Sequence, residues 1–167
     1  MVKEILSSSN LQPLFESASD FIKTYVEKLI VDLTLYVDNE LSVGEISFVS
    51  IYTMSQELSQ EITGVPSAYS AIDGEKEVLA RFAEKYSKLG IEQYDDLARE
   101  VILDFLNLHN GLFVVQLSKM NICELSLTVP KKNGLRHIKS PVTGKITVIP
   151  ITFSFGTINF LLCELPV

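Results

Sequence analysis

Tyr94-Asp-Asp-Leu-Ala-Arg-Glu-Val-Ile-Leu-Asp-Phe-Leu-Asn-Leu-His-Asn-Gly-Leu-Phe-Val-Val-Gln-Leu117 is the longest periodic stretch in the chain. Leu97, Ala98, Val101, Ile102, Phe105, Leu106, Leu108, Leu112 and Phe113 recur at helical spacing, which predicts a helix from about Tyr94 to Leu117. Its other face carries Asp96, Glu100, Asp104, Asn107 and Gly111. At 3.6 residues per turn these five positions fall within an arc of roughly 80°.

What lies on either side sets the class. Before the helix, Val78, Leu79, Phe82, Ala83 and Tyr86 mark a shorter one, capped by Asp73 and stopped by Gly90. After it, Cys123, Leu125, Leu127 and Val129 alternate with Glu124, Ser126 and Thr128, the pattern of a half-buried strand. Two further strands are expected over Lys145–Phe153 and Thr157–Leu165, turning at Phe155–Gly156. Pro150 inside the first of them implies an edge or a bulge. Toward the N-terminus, Leu14 to Ile30 reads as one helix with Asn10 as its N-cap and Pro13 in its first turn. Three strands then follow, over Leu33–Val37, Ile46–Met54 and Glu61–Ile72.

Strands come in runs rather than alternating singly with helices. The expected class is α+β, long helices packed on an antiparallel or mixed sheet, in the order α-βββ-αα-βββ, with residues 1–167 as a single domain.

Charge excludes some functions. The chain has 167 residues and a formal net charge of −7. That disfavours a nucleic-acid partner, whose phosphates need neutralising. Apolar runs such as Gly111–Val115 are too short for a membrane span, and Met1–Asn10 lacks the apolar core of a secretory signal, so a cytoplasmic protein is expected. The charge is uneven: no acid stands between Glu124 and Glu164, while Lys131, Lys132, Arg136, Lys139 and Lys145 all do. This basic loop reads either as steering for an acidic partner or as a solvated loop guarding a sheet edge. Cys123 and Cys163 have no metal spacing and read as buried strand thiols. His109 and His137 are the only histidines, which gives a metal centre or a Ser–His triad little to work with. Thr143-Gly144-Lys145 lacks the strand, first glycine and helix of a phosphate loop.

The polar stripe is where chemistry can sit, with a solvated helix face as the plain alternative. Its acids stand four apart without an evident Lys or Arg partner. Asn is a poor mid-helix residue, and Gly costs about 1 kcal/mol there relative to Ala. A bare position beside an acid and an amide allows another protein's backbone to come close. An acid plus an amide can hold a partner and orient a water, which suffices for phosphoryl transfer if the partner brings the metal and the phosphoryl group.

Asp104-Phe-Leu-Asn107-Leu-His-Asn-Gly111 resembles the acid-x-x-Asn motif, followed by small residues, on the long surface helix of the CheC/CheX/FliY phosphatases. The tail, from Leu127-Thr-Val-Pro130 to Ile149-Pro150-Ile-Thr-Phe-Ser-Phe-Gly156 and a last strand, is similar to the CheX branch. The resemblance implies removal of phosphoryl groups from CheY-type receiver domains. Asn107 would orient the water and Asp104 would engage the receiver's lysine. Glu100, Asn110 and Gly111 would line the docking surface. No metal would be bound by this chain, Mg²⁺ belonging to the receiver. A homodimer formed through the sheets is implied, with Pro150 and the terminal strands at its interface. The first helix offers Glu16-x-x-Ser19 and no Asn, so one site is expected. The family acid is usually Glu, and Asp104 is one methylene shorter. A receiver-binding or dimerisation module without catalysis is therefore the alternative.

Overall fold

The computed structural model describes residues 2–120, 124–141 and 145–165, which leaves Cys123, Thr143 and Gly144 outside the described residues. Two short helices, α1 (Val2–Leu6) and α2 (Gln12–Ser17), precede α3 (Asp20–Tyr36). Strands β1 (Leu41–Val43), β2 (Ser47–Val49), β3 (Ile51–Thr53), β4 (Leu58–Gly64) and β5 (Ser67–Gly74) follow. Then come α4 (Lys76–Ser87) and α5 (Asp96–Lys119). The chain closes with β6 (Leu125–Leu127), β7 (His137–Lys139), β8 (Ile146–Phe153) and β9 (Gly156–Leu165). The expected sequence of helix, strand run, two helices, strand run holds, with extra elements inside each run.

One sheet runs β1-β8-β9-β5-β4-β6, with β2 beside β1 on the same edge, and every pairing is antiparallel. The long helices cover one face. Phe82 of α4 meets Phe105 of α5 and Phe153 of β8 at ring-centroid distances of 5.2 and 5.9 Å. Tyr25 of α3 meets Phe113 of α5 at 5.1 Å. Fully burying each such side chain is worth roughly 1.5–3 kcal/mol. On the opposite face, β3 and β7 pair as a separate ribbon over Tyr69, Ala71, Ile146, Val148, Leu161 and Cys163. The central strand β5 is thus buried on both sides. Cys163 is a free buried thiol, and burial pushes its pKa up.

Several parts of the sequence reading need correction. The expected first helix is two: Ser19 is extended and accepts Ile22 N–H on its Oγ, starting α3. That helix continues to Tyr36, so Leu33–Val37 is not a strand; Leu29, Ile30 and Leu33 keep facing the core at helical period. Asn10 is not its cap, because its amide donates to Val43 O at 2.9 Å instead, although Pro13 does sit in the first turn of α2.

The span Glu61–Ile72 is not one strand but parts of β4 and β5, whose turn contains Gly64 and Pro66. Gly64 has φ 138°, a conformation that L side chains rarely adopt. Ile46–Met54 divides at Ser50, sending β2 to the sheet and β3 to the ribbon.

Asp73 does not cap α4. It ends β5 facing the ribbon, where its carboxylate accepts from Ser55 N, Gln56 N and the Tyr52 hydroxyl at 2.9, 3.1 and 3.0 Å. Glu75 occupies the N-cap, and Lys88, at φ 60°, takes the left-handed C-terminal position assigned to Gly90. The last hairpin turns at Ser154–Phe155, one residue earlier than expected, since Phe153 pairs with Gly156.

Pro150 lies where the sheet edge is interrupted. β1 pairs with residues 151–153 of β8 and β2 with residues 146–148. Between them, Pro150 O accepts Gly44 N–H at 2.7 Å, so the missing donor of Pro150 falls in the gap.

Candidate functional site

Helix α5 starts cleanly because Asp95 Oδ1 accepts Ala98 N–H at 2.9 Å. By length and composition it is apolar enough to cross a bilayer, but half of that stretch is buried against the sheet and its neighbouring helices, the profile of a core helix. Its outward arc carries the stripe.

Asp104 and Asn107 are both exposed, one turn apart. With Glu100, Leu103, Val129 and Pro130 they line a cleft of about 220 Å³ between α5 and the segment after β6. On the other side of Asp104 lies a second cleft of about 530 Å³, walled by Tyr36, Tyr86, Leu89, Val101 and Leu108. Asp104 and Glu100 line both clefts and so stand between them.

The stripe is not free of cationic partners. Arg99 pairs with Asp96, three residues away on the same helix. Lys132 of the basic loop reaches Glu100 at 2.7 Å. The loop is held by Lys131, whose backbone bonds to Ser59 in both directions, and by Arg136, which reaches Glu57 at 3.2 Å. Part of the uneven charge is therefore internal pairing. Asp104 has no Lys or Arg partner among the described residues. Its Oδ2 accepts the Tyr86 hydroxyl at 2.8 Å. Burial first, and then the bond to Asp104, push the Tyr86 pKa up.

Asn107 is fixed from below. Gln60 of β4, fully buried, donates from Nε2 to Asn107 Oδ1 at 2.7 Å and to Thr128 O at 2.9 Å. Asn110, assigned above to the docking surface, is buried at 0% exposure. It lies about 40° outside the arc of the stripe, toward the core. There its Nδ2 donates to Gln60 Oε1 at 2.9 Å and its Oδ1 accepts the Tyr25 hydroxyl at 3.1 Å. Tyr25 in turn lies 2.7 Å from Ser70 Oγ of β5.

Gly111 is half-buried, and an added Cβ would meet only Leu127 Cδ1 at 3.9 Å, so internal packing gives no reason for a glycine.

His109 faces inward. Its Nδ1 lies 2.7 Å from Asp32 Oδ2, and Lys28 Nζ lies 2.9 Å from Asp32 Oδ1. The imidazole stacks on Phe105 and meets Tyr25 edge-on. Desolvation lowers its pKa, and its Nε2 has no partner among the described residues, which suits a neutral ring protonated on Nδ1. His137 is exposed on β7. No group of three or more His, Cys, Asp or Glu among the described residues could hold a metal ion.

The site residues legible from the sequence are thus split by the structure. Asp104, Asn107 and Glu100 meet at one cleft, Gly111 follows on the same arc, and Asn110 lies beneath. Gln60 and Tyr86 were missed. The signal for Gln60 is a polar residue at the inward position between Leu58 and Ile62 of one strand. Tyr86 carried no such signal, because it fits the apolar stripe of α4.

No family model matches the sequence, and no curated protein does. Solved structures do match its fold. A CheX chemotaxis protein from Desulfovibrio desulfuricans superposes with a TM-score of 0.70 at 13% identity, over 88% of this chain and 100% of that one. A CheC-like superfamily protein from Shewanella sp. PV-4 gives 0.68 at 18% identity, over 88% and 98%. The CheX–CheY–BeF₃–Mg²⁺ complex from Borrelia burgdorferi gives 0.61 at 18% identity, over 87% and 97%. With its helices on one face of an antiparallel sheet and its polar stripe on the outer arc of α5, this chain has the CheX/CheC-like fold.

Proposed function

We propose that this chain hydrolyses the aspartyl phosphate of CheY-type receiver domains. The observation that carries the reading is the pairing of exposed Asp104 with exposed Asn107 in one cleft on α5. The resemblance of the motif and the CheX–CheY complex among the structural neighbours support it. Asp104, which has no Lys or Arg partner among the described residues, offers Oδ1 to the receiver's lysine. Asn107 then holds a water in line with the phosphorus. A water O–P bond forms, the aspartyl O–P bond breaks, and the products are a free receiver carboxylate and inorganic phosphate, the water's proton passing to phosphate or solvent. The Mg²⁺ that neutralises the phosphoryl oxygens belongs to the receiver, and this chain's share is positioning. Gly111 gives the receiver backbone room beside the site. The protein acts in the cytoplasm, as a homodimer formed through its sheets.

The test is the lifetime of a phosphorylated receiver. Wild type shortens it, Asn107→Ala abolishes the effect with the fold retained, and Asp104→Glu keeps or raises it. If wild type leaves the lifetime unchanged across candidate receivers, the hydrolase reading is lost. The shorter acid favours one second reading, a module that binds receivers without dephosphorylating them. Binding to a beryllofluoride-loaded receiver with no change in lifetime would select it.

A further inference from the structure

We infer that Gln60 is a positioning residue that fixes which end of the Asn107 amide faces the cleft. The inference rests on the function proposed above.

An amide side chain can turn over, exchanging a donor for an acceptor at nearly the same position. For an exposed Asn meant to orient a water, the two states present opposite polarity. The structure contains a device that selects one. Thr128 contributes a backbone carbonyl, which can only accept, and Gln60 must therefore point Nε2 toward it, at 2.9 Å. The same Nε2 also donates to Asn107, so the atom it meets, at 2.7 Å, is Oδ1. Asn107 Nδ2 is thereby turned away from the relay, and it has no partner among the described residues. The far end of Gln60 is consistent with this direction: Oε1 accepts from Asn110 Nδ2 at 2.9 Å, and Asn110 Oδ1 accepts from the Tyr25 hydroxyl at 3.1 Å. Turning Gln60 over would set its buried Oε1 against the partly buried Thr128 carbonyl, two acceptors facing each other, a cost comparable to losing a hydrogen bond.

Gln60, Asn110 and Ser70 are all buried to 1% exposure or less, so water cannot replace the missing partners at little cost. The relay also ties the site to the sheet. It runs from Asn107 through β4 and back to α5, then to α3 and β5, so that the exposed amide is held by elements that pack rigidly. Asn107 consequently presents Nδ2–H to the cleft, where it donates to the oxygen of the attacking water and leaves that oxygen's remaining lone pair for phosphorus.

Two experiments test this. Side-chain amide hydrogen exchange by NMR on the full chain reads the orientation without any activity. The expected result is slow exchange of the Gln60 Nε2 protons and fast exchange of the Asn107 Nδ2 protons. Protected Asn107 Nδ2 protons would overturn the inference whatever the protein's function. The second experiment is single-turnover decay of a phosphorylated receiver with Gln60→Met and Gln60→Glu, the first removing the donor without burying a charge. Each is expected to lower the maximal rate about 10–100-fold while affinity for the beryllofluoride-loaded receiver stays within about twofold. In an Asn107→Ala background, where the acceleration is already lost, adding Gln60→Met is expected to leave affinity for the beryllofluoride-loaded receiver unchanged. A wild-type rate in Gln60→Met, or a loss of receiver affinity on adding it to Asn107→Ala, would overturn the inference. If wild type itself does not accelerate decay, the proposed function fails, and the exchange experiment still decides the orientation.

Discussion

The Tyr86 hydroxyl donates to Asp104 Oδ2 at 2.8 Å, bridging α4 and α5. The bond holds the exposed carboxylate over the boundary of two clefts. Tyr86→Phe is expected to lower the rate of receiver dephosphorylation roughly two- to fivefold, an effect kept small because the pair is partly solvated. Receiver decay kinetics at matched concentrations would show it.

The same bond fixes a pH expectation. The folded-state pKa of Tyr86 is raised, through burial first and the Asp104 carboxylate second. A raised pKa means that the protonated hydroxyl's contribution is complete below the unfolded value of about 10 and is lost as pH rises through the folded one. The activity of wild type and of Tyr86→Phe should therefore stay in constant ratio from pH 7 to about 9. A ratio that collapses within that interval would contradict the assignment.

Asp32 supports stability from inside. Removing it by Asp32→Ala strands Lys28 and the buried His109 without their partner and should cost about 3–5 kcal/mol in denaturant unfolding. For His109 the shift is downward, led by desolvation, against the opposing pull of Asp32. A depressed folded pKa means that the stabilisation is complete above the unfolded value of about 6.5 and is lost as pH falls below it, because the unfolded chain then takes up the proton first. Asp32 and the Tyr25 and Phe105 rings face the imidazole, and Lys28 stands on the far oxygen of Asp32. His109→Gln should flatten the acid side of the stability profile, measured as unfolding midpoints from pH 7 to 5.

The basic loop is seated by a contact that has no room for a side chain. A Cβ on Gly134 would stand 2.2 Å from Ser59 Oγ and 2.9 Å from Glu57 O. Gly134→Ala should unseat the loop and so free Glu100 from Lys132. The expected readout is faster backbone exchange at Lys131 and Gly134, whose amides donate to Ser59 O and Glu57 O. Lys132→Ala, which leaves the loop seated, should not change thermal stability, since its pair with Glu100 is solvent-exposed.

What could be read from the sequence follows the physics of periodicity. Helix α5 was found to within about two residues because one face is apolar and the other polar over six turns. Strand β5 was obscured because it is buried on both faces, which erases alternation, and because its small residues Ser70 and Ala71 carry little signal. Leu33 to Val37 looks like a strand by composition, yet the helical phase of Leu29 and Ile30 carries on through Leu33. At the site, Asp104 and Asn107 were legible as polar residues on one arc. Asn110 was misassigned because spacing alone does not say where the core begins. Gln60 and Lys132 come from β4 and a distant loop, and such partners across the fold leave no trace in local spacing. The pairing of Asp96 with Arg99 is legible in the sequence as an i, i+3 pair on one helix.

Thr128 meets Gln60 through its carbonyl, while its Oγ1 accepts Glu61 N–H at 3.1 Å and its own N–H donates to Glu61 O at 3.0 Å. The polarity of the Asn107 amide is thus written in main-chain geometry, which no ordinary replacement at position 128 can erase so long as the segment after β6 keeps its path. Exchange at 128 is expected to be tolerated wherever the backbone bond to Glu61 O alone keeps that path, whereas residues 60, 107 and 110 are bound to change together or not at all. Relatives of this chain should display that asymmetry: a less restricted column at the residue that sets the direction than at the residues that transmit it.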